Sequence, residues 1–98
     1  MVKIIYSNEA INNLIAIEAY YKNERGLRTA RKVTNAIMDD IDRLAVYPKS
    51  GGETPSVRLN RQGYRKLISA HYVIIYKYDE YEETVYVDYI YREVQNMI

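Results

Sequence analysis

Ninety-eight residues amount to one domain, read here as a single unit over 1–98. Hydrophobic residues at 48% and charged residues at 28% exclude a disordered chain and supply material for one core. The absence of Cys excludes a disulfide frame, a thiol nucleophile and a Cys-ligated metal, and 14 basic against 13 acidic residues exclude a uniformly basic nucleic-acid binder.

The opening "MVKIIYSNEA" reads as a short β-branched strand, Val2 to Tyr6, followed by Ser7 or Asn8 as a helix cap. Its apolar run is too short for a signal peptide, and no later run approaches a membrane span. The expected location is therefore the cytoplasm. From Glu9 to about Asn23 the apolar residues predict a helix with a stripe through Ile11, Leu14, Ile15 and Tyr21. Gly26 breaks it. A second helix is predicted from Leu27 to Tyr47, with Ala30, Val33, Ile37, Ile41 and Leu44 on one face, and Pro48 stops it. The short gap between the two makes them an antiparallel hairpin.

"PKSGGETPS" reads as a loop. Three strands follow, at Tyr64 to Ala70, Tyr72 to Tyr78 and Thr84 to Tyr91, with "DEYEE" as the turn between the last two. The tail from Glu93 to Ile98 is short and either helical or loose. The order β, α, α, β, β, β predicts an α+β fold. A helical hairpin packs on one face of a mainly antiparallel four-stranded sheet and leaves the other face partly open. If the last strand alternates without a break, Val85, Val87, Tyr89 and Tyr91 face the helices. Tyr86, Asp88, Ile90 and Arg92 then face the open side.

Charge is segregated along the chain. Lys49, Arg58, Arg61, Arg65 and Lys66 share the stretch from 49 to 66 with one acid, Glu53, whereas Asp79 to Glu83 contains four acids. The aromatic residues are twelve Tyr, with no Phe and no Trp. A core Tyr needs a hydroxyl partner or an edge position. Some of the twelve are therefore expected at surfaces that meet a partner, although a compositional bias accounts for the count equally well.

No phosphate loop, His-Glu-x-x-His or nucleophile elbow is present, and one His without Cys makes a transition-metal site unsupported. No cofactor is expected. The residues left for chemistry are those of a metal-free ribonuclease, which needs a base, a cation for phosphorane charge and an acid. Arg65 or Lys66 suits the charge, and Tyr91 or His71 suits proton transfer. Each of these side chains also suits plain packing or solvation.

The order and spacing of "VKIIYS", "IDRLAVYPKSGGETP", "YRKLISAHYVIIYKY" and "VYVDYIYREVQN" resemble the RelE/ParE superfamily of bacterial type II toxin–antitoxin toxins, over nearly the whole chain. The resemblance implies a growth-arresting toxin, a cognate antitoxin as hetero-oligomeric partner, and operator DNA contacted only through that antitoxin. It divides by target. ParE-like members block DNA gyrase and need no catalytic residues, whereas RelE-like members cut mRNA on the ribosome. The long helical hairpin, the Pro-x-x-Gly loop and the near-neutral charge look ParE-like. For that branch Arg58, Arg61, Arg65, Lys66 and Arg92 are the expected target-binding strip on the open face. For the ribonuclease branch Arg65, Lys66, His71, Tyr91 and Arg92 are the candidates, with Arg92 where relatives often carry a His. A small binding protein that has lost toxicity is the third reading.

Overall fold

The chain runs β1 (Lys3–Tyr6), α1 (Asn8–Arg25), α2 (Leu27–Asp42), α3 (Val57–Arg61), β2 (Tyr64–Ser69), β3 (Tyr72–Asp79) and β4 (Thr84–Arg92) in a computed structural model that describes residues 2–93. The tail from 94 to 98, expected to be helical or loose, lies outside the described residues.

Ser7 starts α1. Its hydroxyl oxygen accepts from the Ala10 N–H at 2.9 Å, an N-cap bond, and its own O–H donates to the Asp88 carbonyl. One side chain thus ends a strand, begins a helix and ties both to β4. Gly26 separates the helices at φ 90°, a left-handed value that a side chain would resist, while its N–H donates to the Lys22 carbonyl.

The stripe predicted for the second helix packs as expected. Ala30, Ile37, Ile41 and Leu44 are buried and Val33 is half-buried. The helix ends at Asp42 and continues as a 3-10 turn, Arg43–Ala45. Of the stripe predicted for the first helix, Leu14 and Tyr21 pack on the core, and Ile11 and Ile15 do not. Ile11 is 44% exposed and Ile15 61% exposed, whereas Ala10 and Ile17 are buried. Leu14 and Tyr21 complete the packed side. The steps Ala10, Leu14, Ile17, Tyr21 are four, three and four, a true helical face. Ile11 and Ile15 sit one residue, roughly 100°, around from it. The small Ala10 was the inward residue, and its size disguised it.

The sheet order is β1-β4-β3-β2. β2–β3 and β3–β4 are antiparallel, and β1 joins β4 in parallel with Ile4 opposite Val85. The sheet is therefore mixed, with the antiparallel pairs in the majority. The helical hairpin covers one face, where Ile17, Ile37, Ile41 and Leu44 join Tyr72, Ile74, Tyr76, Val85, Val87 and Ile90 in one core.

A β-bulge breaks the alternation of β4. Ile75 faces Tyr89 while Tyr76 faces Val87, which leaves Asp88 without a partner of its own on β3. Beyond it the parity is reversed. Ile90 enters the core beside Ile74, and Arg92 stands opposite Tyr72 on the helix side. Tyr89 and Tyr91 turn to the open face, opposite to the expectation for Tyr91 and Arg92. Between the loop over 48–56 and β2, where the sequence reading assigned no element, the chain forms one helical turn, α3. Ser56 caps it by accepting from the Leu59 N–H at 3.2 Å, and the Asn60 amide bonds both the N–H and the carbonyl of Thr54. Five residues are too few to show a period.

Candidate functional site

The residues that α1 does not bury form a groove against α2. Its walls are Ile11, Leu14, Ile15 and Met38, with Arg31 at the rim and Tyr6 of β1 in its lining. Apolar side chains this exposed on adjacent helices are costly to leave in water. Tyr6 is the second anomaly. Among the described residues its hydroxyl is the one buried side-chain polar atom without a hydrogen-bond partner. Burial, and secondarily the charge of Asp42, pushes its pKa from 10.0 up to about 12. Sequence reading missed Met38 and Tyr6 here. The usable signal was the pair Ile11 and Ile15, apolar residues that one stripe cannot contain together with Ala10 and Ile17.

The basic residues divide among several places. Arg65 lies opposite Tyr76 on the helix side of β2, away from the open face expected for it. Its Nη1 donates to the carbonyls of Lys49 at 3.1 Å and Gly51 at 3.0 Å. The Tyr76 hydroxyl accepts from the Gly51 N–H at 2.8 Å, and Lys66 pairs with Gly52 through both backbone groups. Arg65 and Tyr76 thus clamp residues 49–52 against the sheet. A Cβ on Gly51 would lie 2.5 Å from the Tyr76 hydroxyl and 2.7 Å from the Lys66 carbonyl, so only Gly fits there. Burial raises the Tyr76 pKa, with Gly51 and Arg65 acting in the opposite direction.

Lys66 is on the opposite face, level with Ile75. Arg58 and Arg61 are exposed on α3, and α3 packs against β2. Lys49 is paired with Glu80. Arg92 lines a recess with Ala16, Ile17, Tyr20 and Tyr72, between the sheet and α1. Burial, then a hydrogen bond with Tyr21, pushes the Tyr72 pKa up to about 12, and Arg92 acts against that rise. His71 is exposed in the β2–β3 turn, where its carbonyl accepts from the Glu93 N–H at 2.7 Å. Tyr91 is on the open face, its ring stacked on Tyr89 with centroids 5.8 Å apart.

Arg65, Lys66, His71, Tyr91 and Arg92 therefore do not converge on one reacting centre. Arg58, Arg61 and Lys66 remain near one another at the α3–β2 edge, while Arg65 and Arg92 face the helices. Among the described residues, no group of three or more His, Asp or Glu could hold a metal ion, and no helix is long and apolar enough to cross a membrane.

A model of one protein family, the ParE toxin of the type II toxin–antitoxin system parDE, matches residues 4–97. The chain belongs to the ParE toxin family. Two solved structures share the fold of this ParE-family chain. One is the chromosomal ParDE system of P. aeruginosa, at 17% identity and TM-score 0.79, covering 96% of this chain and 98% of the other. The second is the RelBE2 toxin–antitoxin complex of Mycobacterium tuberculosis, at 14% identity and TM-score 0.69, covering 94% and 98%. A search of curated proteins found no match. The family match makes the chain a type II toxin. At these identities the two structures speak for its fold.

Proposed function

We propose that this toxin is held silent by a cognate antitoxin seated in the α1–α2 groove, and that the released toxin arrests growth by inhibiting DNA gyrase in the cytoplasm. The observation that carries the first half is the groove itself. Ile11, Ile15 and Met38 are presented together beside a buried hydroxyl that lacks an acceptor. An occupant that lays apolar side chains on the isoleucines and Met38 takes that surface out of water. The solved ParDE and RelBE2 relatives come from toxin–antitoxin systems, which supports the same reading.

The second half is supported by the match to the ParE family across residues 4–97. Binding to gyrase needs no catalytic constellation, and the dispersal of Arg65, Lys66, His71, Tyr91 and Arg92 suits that. The ribonuclease reading, a ribosome-dependent cut in mRNA, would need several of them at one phosphate. For the gyrase target the exposed Arg58 and Arg61 of α3 and the half-buried Lys66 of β2 are the contacts we assign. Arg65 acts by holding the loop beside them.

Expression without the neighbouring reading frame should arrest growth, and co-expression with it should yield a two-chain complex. Purified toxin should inhibit gyrase supercoiling and leave ribosome-bound mRNA intact. Cleavage of that mRNA by the wild-type chain would overturn the gyrase assignment. A chain that binds nothing from its own operon would overturn the antitoxin assignment.

A further inference from the structure

Arg92 has no part in the target assignment and no partner in the fold. The bulge at Asp88 brings it to the helix side of β4, opposite Tyr72. There it lines a recess with Ala16, Ile17, Tyr20 and Tyr72. The side chain is exposed, and among the described residues its guanidinium makes no hydrogen bond and no ion pair. The frame around it is fixed. The Asn13 side chain of α1 accepts from the Ile90 N–H at 2.9 Å, and the Glu93 N–H donates to the His71 carbonyl at 2.7 Å. These bonds hold β4 to α1 just before Arg92 and to the β2–β3 turn just after it. Tyr20, half-exposed, meets Tyr21 edge-on with ring centroids 5.2 Å apart.

The recess and the apolar groove lie on opposite flanks of α1. Ala16 and Tyr20 follow Ile11 and Ile15 by five positions each, roughly 140° around the helix. The solvent-facing ridge between the two flanks carries Asn8, Asn12, Ala19 and Asn23, all exposed and all uncharged. A chain crossing that ridge meets no charge, and the asparagine amides can pair with its backbone. A helix is about 10–12 Å across, so an extended segment passes over it in roughly five or six residues. One flank offers apolar surface and the other a cation among aromatic rings. A guanidinium without a partner is complementary to a carboxylate, which its planar fork grips through two parallel bonds.

We propose that Arg92 anchors an aspartate or glutamate of the antitoxin, on a segment that crosses α1 from the groove to the recess. The inference rests on the antitoxin reading and adds to it a second, charged contact on the far side of the same helix. The acid stands roughly five or six residues of extended chain away from the apolar side chains that fill the groove.

The full-length toxin is co-expressed with the neighbouring reading frame, and the dissociation constant of the complex is measured at several salt concentrations. Arg92→Gln should weaken the complex about tenfold or more, the scale of a lost hydrogen bond between charged groups, and should flatten its salt dependence. Arg92→Lys keeps the charge without the fork and should fall between the two. Each Asp and Glu of the antitoxin is then changed to its amide. One of these changes should weaken binding to wild-type toxin and have little further effect on Arg92→Gln, the mark of a direct pair. If Ile15→Ala weakens the complex while Arg92→Gln binds like wild type, the anchor is overturned and the groove stands. The anchor is equally overturned if no antitoxin carboxylate couples to Arg92, or if Arg92→Gln loses toxicity with the complex unchanged. A wild-type chain that forms no complex removes the antitoxin reading and the anchor together. Thermal unfolding of Arg92→Gln should match wild type, because the exposed guanidinium makes no bond in the fold. Arg92→Lys keeps the test open should Arg92→Gln fail to fold.

Discussion

The helices α1 and α2 are neighbours of similar length, 18 and 16 residues, and they pack on each other. They use their isoleucines in opposite ways. In α2 Ile37 and Ile41 are fully buried on a single face. In α1 only Ile17 is buried, while Ile11 and Ile15 are in the open groove. The difference separates two uses of apolar side chains. Those on the shared stripe hold this chain together, and those beside it are, on our proposal, kept for another chain. Stability and partnership should therefore respond to different substitutions of the same residue type.

The largest effect belongs to the core. Ile37→Ala should cost about 2–5 kcal/mol in urea unfolding, through lost burial and the cavity left behind. Ile15→Ala removes the same groups from a side chain that is 61% exposed. It should change stability by no more than about 0.5 kcal/mol, yet weaken the antitoxin complex by more than about 1 kcal/mol. Equal unfolding losses for the two variants would dissolve the distinction. Tyr6→Phe sharpens it further, because it changes a buried atom behind the groove and none of the exposed side chains in it. Removing a buried hydroxyl that has no partner should stabilise the isolated toxin by about 1 kcal/mol. The same variant should leave the complex within about 0.5 kcal/mol of wild type, since a partner in the groove does not reach that hydroxyl.

The smallest effect is on pH dependence. Tyr6 and Tyr72 are both raised from 10.0 to about 12. Above pH 10 the unfolded chain gives up these two protons while the folded chain still holds them. Their contribution to stability is complete below pH 10, falls as pH rises and is gone above about 12. Urea midpoints measured across that window should decline, and Tyr6→Phe should make the decline shallower. An unchanged slope would mean that Tyr6 ionises normally.

Much of this architecture is legible in the sequence. The steps of three and four through Ala30, Val33, Ile37, Ile41 and Leu44 permit only one helical face, and α2 buries that face. The strands Tyr64–Ser69 and Tyr72–Asp79 announce themselves by β-branched and aromatic runs. The faces of β4 were not legible. A one-residue bulge leaves no mark in composition, yet it moves Tyr91 outward and Arg92 inward. Arg65 illustrates a different limit. Its charge suggested a target contact, but its Nη1 is used on the carbonyls of Lys49 and Gly51, and no local pattern encodes a bond across 14 or 16 residues. The groove was half visible, in that Ile11 and Ile15 were read as apolar and assigned to the wrong side.

The parallel pairing of β1 with β4 also governs when the molecule can be finished during its synthesis. The Ser7 hydroxyl reaches the carbonyl of a residue 81 positions later. At about 5–20 residues per second, β1 waits roughly 4–16 s for its strand partner β4 to be translated. The helical hairpin and the β2–β3 pair are local and can form earlier, whereas this long-range closure comes late. Tyr6 contributes to the groove from β1, so the groove is complete only once β4 has been made. A nascent chain halted before Thr84 has the sequence of both helices but no strand beside which to seat Tyr6. The surface we assign to silencing thereby takes its final form only after β4 has left the ribosome.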